Sequence, residues 1–189
     1  QRNSVLNGDD ISETIRKMIK GTISDNVESH LHGDDRSLWD FAGLREVYKN
    51  LLTTEEDFKE YEGTDVKVKP SDIEEMLLDR AFDLYDKKIE EIGEDRFKEI
   101  ERAILLQNVD RNWMEHIDAM DELRQGINLR AYGQHNPLIE YKNESFDMFN
   151  AMTETIREQT ARHVLTVKIR KDAEVKREKV ATETETGES

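Results

Sequence analysis

No cysteine occurs in the 189 residues, so neither a disulfide framework nor a thiolate metal site can form, which suits a reducing, cytosolic setting. Long apolar runs are missing too. No segment approaches the roughly eighteen apolar residues that a membrane-spanning helix needs, and no basic-then-apolar stretch has the form of a leader, so membrane association is expected to be peripheral. No glycine-rich loop ends in Lys-Ser or Lys-Thr, and without one these residues cannot cradle nucleotide phosphates for ATP hydrolysis. Positive charge is scarce. The chain holds 28 Lys and Arg against 43 Asp and Glu, a formal net charge of −15, which argues against nonspecific nucleic-acid binding because phosphate neutralisation needs a basic face. The imbalance belongs to the first half: residues 1–95 hold 13 Lys/Arg and 25 Asp/Glu, a net of −12, and residues 96–189 hold 15 and 18, a net of −3. Apolar residues make up 35%, which suits one or two domains with a lean core and an extended helical body.

What is present is helical periodicity, clearest from Phe97 to Ile169. Phe97, Ile100, Ile104, Val109, Trp113, Ile117, Met120, Leu123 and Ile127 recur mostly at steps of three or four, the pattern of one buried helical stripe. Leu138, Tyr141, Phe149, Met152, Ile156, Val164 and Val167 repeat it on a second arm, with Ser145 and Thr160 filling turns of the same face. Two such stripes in succession predict an antiparallel helical hairpin. Between them, Gly133 supplies a permissive backbone, Asn136 a cap and Pro137 a first helical residue, so the chain reverses from Arg130 to Asn136. An arm of some thirty residues carries that tip roughly 45 Å from its base at 1.5 Å per residue.

The tip places Tyr132 at its apex, near Arg124, Arg130 and Lys142 and against Glu140, a basic spot on an acidic chain. An aromatic with a polar end suits contact with peptide, since it brings area at low rotamer cost. Alternatively Tyr132 folds back over the turn, which is the ordinary fate of a scattered surface aromatic.

The run LLQNVDRNWMEHIDAMDELRQGINLRAYGQHNPLIEYKNESFDMFNAM closely resembles the carboxy-terminal region of the SecA family, the ATPases that drive preproteins through the SecY channel. The shared pattern comprises Trp113, Glu115, His116, Asp118, Met120, Leu123, Arg124, Gln125, Gly126, Ile127, Leu129, Arg130, Tyr132, Asn136 and Pro137. That many matched residue types in one compact run is specific. The opening Gln1-Arg2-Asn3, with Ile11, Ser12, Glu13 and Ile15, is similar to the stretch leading into the SecA helical wing, and likeness extends loosely over residues 1–170.

The resemblance implies an all-α fold: a long two-helix finger packed with a smaller bundle, the helical wing. It implies residues 1–10 as the end of a scaffold segment from upstream, 11–95 as the wing, 96–170 as helical scaffold and finger, and 171–189 as a charged tail. In such a protein the finger reaches the cytoplasmic mouth of the SecY channel. Tyr132, Arg130, Ala131, Gly133 and Gln134 would touch the preprotein there, and Arg124, His135 and Lys142 the channel. ATP and magnesium would be bound by motor domains in cis and not by these residues, which should be inactive alone and carry no metal. The implied location is cytoplasmic and peripheral on the cytoplasmic face of the cell membrane. A homodimer is a further expectation for a stripe separated from its motor. The small cysteine-rich zinc tail frequent in the family is not in this sequence, so nothing it does is carried over.

Along the rest of the chain, Gln1-Arg2-Asn3 reads as the end of an element begun earlier. Asp9 or Asp10 can cap a helix bearing Ile11, Ile15, Ile19, Ile23, Val27 and Leu31, which stops at Gly33-Asp34-Asp35. A shorter amphipathic run (Leu38, Phe41, Leu44, Val47, Leu51) starts from Ser37, and Thr53 or Thr54 opens a brief helix through Phe58 and Tyr61. Gly63 to Pro70 is a loop with Val66-Lys67-Val68 alternating like a scrap of strand. Ser71 with Glu74 forms a capping-box pattern for a helix over Ile73, Leu77, Ala81, Leu84 and Ile92, ending at Gly93, which is either a kink or a boundary. Gly126, inside an arm, marks either a close neighbour or a loosened turn. Beyond Arg170 charge dominates and disorder is expected.

Candidate chemistry is sparse. His30 and His32, beside Asp34 and Asp35, suggest a metal, but side chains two apart on a helix end diverge. His116 with Glu115 and Asp118 lacks a nucleophile and pocket and reads as a solvated face. Trp113 and Met114 read as core. Beside the SecA reading stands a stand-alone helical adaptor whose acidic half binds a basic partner and whose hairpin is a strut.

Overall fold

The computed structural model describes residues 11–63, 66–130 and 136–168, the last three of the middle range as backbone only. Among them are five α-helices: α1 (Ile11–His30), α2 (Phe41–Tyr48), α3 (Pro70–Ile92), α4 (Glu94–Arg130) and α5 (Pro137–Thr166). The all-α expectation holds, with a long antiparallel α4–α5 hairpin whose base packs against a bundle of α1, α2 and α3. The expected caps Asp9 and Asp10 and the tail 171–189 lie outside the described residues.

Helix α1 forms as its stripe predicts, with Ile11, Ile15, Ile19, Ile23, Val27 and Leu31 all buried. It is the central rod, touching α2, α3, α4 and α5. Helix α2 starts later than Ser37. Residues 36–38 form a single 3-10 turn, and Asp40 caps the helix by accepting from the Gly43 amide at 2.8 Å. Gly43 is needed there, because a Cβ would lie 2.0 Å from the Asp40 carboxylate. No α-helix opens at Thr53 or Thr54. Thr54 instead donates to Asp57 through its amide and hydroxyl, and only a 3-10 turn forms at 59–61. Local side-chain bonding of this kind competes with helix formation. Residues 66–69 take no strand, and α3 begins one residue before Ser71, at Pro70, with the Lys69 amide donating to Asp72 at 3.1 Å. Pro at the first position needs no amide partner, which favours this start.

Gly93 is a one-residue break, not a bend. Its φ of 91° ends α3, and α4 begins at Glu94. The region of positive φ is cheap only for glycine. At this corner Glu101 of α4 is fully buried. Its carboxylate accepts from the Ser12 hydroxyl of α1 at 2.9 Å and from the Tyr85 hydroxyl of α3. Tyr85 packs edge-on against Phe97 at 5.4 Å, and the Arg16 guanidinium lies 4.5 Å from its ring centre while pairing with Asp86. Burial, followed by the neighbouring Glu101 carboxylate, pushes the Tyr85 phenol well above its ordinary range. A second polar clamp holds the loop after α2 to α3. Arg80 meets Asp57 with two nitrogens, each at 2.9 Å, and also reaches the Leu52 carbonyl.

Two outcomes are expected. Glu101→Leu leaves the buried Tyr85 hydroxyl without its acceptor and should cost about 1–3 kcal/mol; adding Tyr85→Phe should recover part of that loss in urea denaturation, whereas simple addition of the two losses would show no coupling. The second concerns acid. The Arg80 hydrogen bonds hold Asp57 at about 2, below the unfolded value of about 3.9. The clamp is therefore at full strength above about pH 4 and is lost as pH falls toward 2. Discounted for the 38% exposure of Arg80, it is worth ~1–2 kcal/mol. Thermal denaturation from pH 5 to 2 should fall less steeply for Asp57→Asn than for the parent, and parallel curves would refute the assignment.

Candidate functional hairpin

The hairpin is anchored at its base to each of the three helices of the bundle. Arg157 of α5 pairs with Asp25 of α1, Arg162 donates to the Val47 carbonyl of α2 at 3.3 Å, and Lys88 of α3 donates to the Val167 carbonyl at 2.7 Å. Met152, Ile156, Ala161, Val164 and Leu165 continue the wing core into α5. On α4 the buried face runs Phe97, Glu101, Leu105, Asn108 and Asn112, then Leu123 and Ile127.

This face differs from the predicted stripe. Ile100, Ile104 and Val109 are only half-buried flanks, and Trp113 and Ile117 point outward. The predicted stripe holds at Phe97, Leu123 and Ile127, but between them the buried positions are Glu101, Leu105, Asn108 and Asn112, none of which a reading of apolar spacing places on it. Trp113 and Met114, expected as core, are 47% and 61% exposed. On α5, Phe149 and Leu138 are likewise exposed, whereas Thr160 is fully buried as its place in the pattern implied. His116 is half-buried, its ring set between those of Trp113 and Phe149 at 5.8 and 6.1 Å, while Glu115 and Asp118 face solvent. The expected solvated patch is thus a contact between the two arms on one side only.

Midway along the hairpin the arms are joined by amides. Asn108 donates to the Thr160 hydroxyl at 3.1 Å, and Asn112 donates both to the Asn108 carbonyl at 2.8 Å and to the Gln159 side chain at 3.0 Å. Beyond this layer Leu123 and Ile127 are buried yet separate from the continuous core. From Asn112 to Arg130 the arm extends about 27 Å, and Trp113, Met114, Ile117, Leu138, Ile139 and Phe146 are exposed along the two arms. The strongest apolar face of the distal hairpin is therefore outward, a feature that periodicity could have indicated through the adjacent pairs Trp113-Met114 and Leu138-Ile139.

At the far end, Asn136 caps α5 by accepting from the Leu138 amide at 3.0 Å, with Pro137 first in the helix, as its sequence implied. The connection between arms is six residues, 131–136. Of the residues expected at the tip, Ala131, Tyr132, Gly133, Gln134 and His135 lie outside the described residues, as does the Arg130 side chain. Arg124 is exposed and pairs with Asp121 at 3.3 Å, and Lys142 is exposed on the opposite arm. Gly126 has nothing within 4 Å of a Cβ built on it, so no close neighbour explains it.

The rings of His30 and His32 turn to different carbonyls, those of Asn26 and Ser29. Among the described residues no group of three or more His, Asp or Glu converges as metal ligands, and no helix is long and apolar enough to cross a membrane.

A family model described as the SecA Wing and Scaffold domain matches residues 1–168. Protein translocase subunit SecA of Clostridium novyi (strain NT) is 40% identical over 194 residues, a stretch that covers 98% of this chain and 22% of that protein. The subunit of Finegoldia magna is 39% identical over 186 residues, covering 97% and 20%, and that of Desulforamulus reducens 38% identical over 178, covering 89% and 19%. The chain thus spans about a fifth of the length of these curated relatives. Matched along nearly its whole length, wing and hairpin together, this chain belongs to the SecA family.

Proposed function

We propose that the chain is the wing and finger of a protein translocase subunit, and that its hairpin carries mechanical work made elsewhere in the protein to a polypeptide in transit. The observation that supports this most directly is the distal hairpin: about 27 Å of paired helix beyond an anchored base, with α4 ending at Arg130, two residues before Tyr132 in the sequence. A helical pair held at one end by ion pairs and a shared core moves as a lever when its base is moved.

On this reading the turn from Arg130 to Gln134 meets the preprotein at the cytoplasmic mouth of the SecY channel, and Arg124, His135 and Lys142 meet the channel itself. ATP with magnesium is bound and hydrolysed by motor domains in cis, outside these residues. The assembly works on the cytoplasmic face of the membrane as a peripheral subunit. Tyrosine suits the tip because its ring gives sequence-independent apolar contact and its hydroxyl can bond to peptide backbone.

In the full-length protein, Tyr132→Ala is expected to reduce preprotein transport on the order of tenfold, the loss of roughly 1.4 kcal/mol of contact, with nucleotide binding unchanged. Transport assays into membrane vesicles, run beside nucleotide titrations, check this. Equal loss of both activities, or of neither, sinks the reading and restores the strut of a helical adaptor in its place.

A further inference from the structure

Buried amides are unusual in the seam of a helical pair, and this seam has them midway along its length. Asn108, Asn112 and Thr160 are all buried, and they are joined with Gln159 by the two cross-arm hydrogen bonds, Asn108 to Thr160 and Asn112 to Gln159. Arg111 adds a bond to the Asn108 carbonyl oxygen of the side chain at 3.2 Å. On the base side of this layer the apolar core of the bundle grips both arms; on the tip side the buried side chains are Met152 and Ile156 on α5 and Leu123 and Ile127 on α4, while the large side chains Trp113, Met114, Phe146 and Phe149 are substantially exposed. Apolar contacts as sparse as these discriminate weakly between one alignment of the arms and another, because burial is non-directional.

We propose that Asn108, Asn112, Gln159 and Thr160 are positioning residues that set the register of the two arms and thereby the height at which the tip is presented. The proposal rests on the reading of the hairpin as a lever with a working tip. Sliding α5 by one turn, about 5.4 Å, moves the Thr160 hydroxyl and the Gln159 amide away from their partners and sets apolar side chains such as Ile156 or Val164 against Asn108. A buried amide left without a partner shifts an equilibrium by roughly tenfold or more, so the polar layer disfavours the slipped alignment in addition to the apolar contacts at the base. A polar residue in an otherwise apolar seam has this effect in paired helices generally, specifying alignment at some expense in stability. The anchors at the base, Arg157 to Asp25, Arg162 to the Val47 carbonyl and Lys88 to the Val167 carbonyl, resist such a slip from outside the seam, and the polar layer resists it from within.

Two variants separate alignment from stability. The first makes the layer apolar: Asn108→Leu, Asn112→Leu, Gln159→Leu and Thr160→Val. The second exchanges the central pair, Asn108→Thr with Thr160→Asn, and so keeps a bond across the seam. Both go into the full-length protein with any other cysteines replaced and with cysteine pairs introduced at His116/Phe149, which are opposite in this register, or at His116/Ser145 and His116/Thr153, which are opposite after a slip of one turn either way. The parent and the exchanged variant should crosslink at 116/149. The apolar variant should keep its helicity and melting temperature, gain severalfold in crosslinking at 116/145 or 116/153, and transport severalfold less preprotein per nucleotide hydrolysed. An unchanged crosslinking pattern in the apolar variant, or its unfolding, overturns the register assignment. A shifted pattern with undiminished transport overturns the link to the tip; if Tyr132→Ala is silent in the same assay, the fault lies in the lever reading and not in the register.

Discussion

Two helices that outrun the bundle beside them can hide side chains only against each other. That constraint governs the distal part of the α4–α5 hairpin, where Leu123 and Ile127 are buried outside the continuous core. A pair of helices has one shared seam, so each arm can bury about one residue per turn, and everything else must face outward. Trp113 and Met114 are exposed for this reason, despite their apolar character, and so is Phe146. The seam itself, being narrow, tolerates amides where a bundle interior would favour aliphatic side chains, provided each amide finds a partner.

The wing answers the opposite requirement. Its three helices bring a core to the base of the hairpin, and they fasten it with charged groups placed at the edges: Arg157 to Asp25, Lys88 to the end of α5. The Glu101 carboxylate bonds to both α1 and α3 at the point where Gly93 lets the chain turn from wing to long helix. A buried carboxylate with both oxygens engaged is costly to move, because any displacement leaves charge or hydroxyl unsatisfied. On the proposed reading, motion applied to the bundle is passed to the root of α4 and not absorbed at the corner. On the proposed reading this stiffness at the root and the polar layer farther up act in series, the one fixing the direction of the lever and the other its effective length.

Much of this was legible from residue order, and the misses have a common origin. The α1 stripe was read correctly because its buried positions are apolar, and only Met18, buried beside Ile19, was left out of it. The α4 stripe was read correctly at Phe97, Leu123 and Ile127 and missed between them, because the buried positions there include Glu101, Asn108 and Asn112, whose polarity says nothing about burial until a partner is in view. Thr160 was placed on the buried face by spacing, yet its partner, 52 residues away, was not. The short elements of the wing went wrong for a local reason. Asp40, Asp57 and Asp72 each bond to backbone amides nearby, so they start or forestall helices at positions shifted from those that apolar spacing suggests.

Periodicity and punctuation by themselves determined that this chain is helical, that two long amphipathic arms follow one another, and that they fold back between Arg130 and Asn136, because those features depend only on spacing along one helix and on local caps. The matched pattern around Trp113, Tyr132 and Pro137 also made the family readable. Which way each arm is rotated, which polar groups are buried, and which aromatic side chains are left outside were decided only by the tertiary structure. Each of those depends on what stands opposite, and a helix face has no inside until another surface covers it.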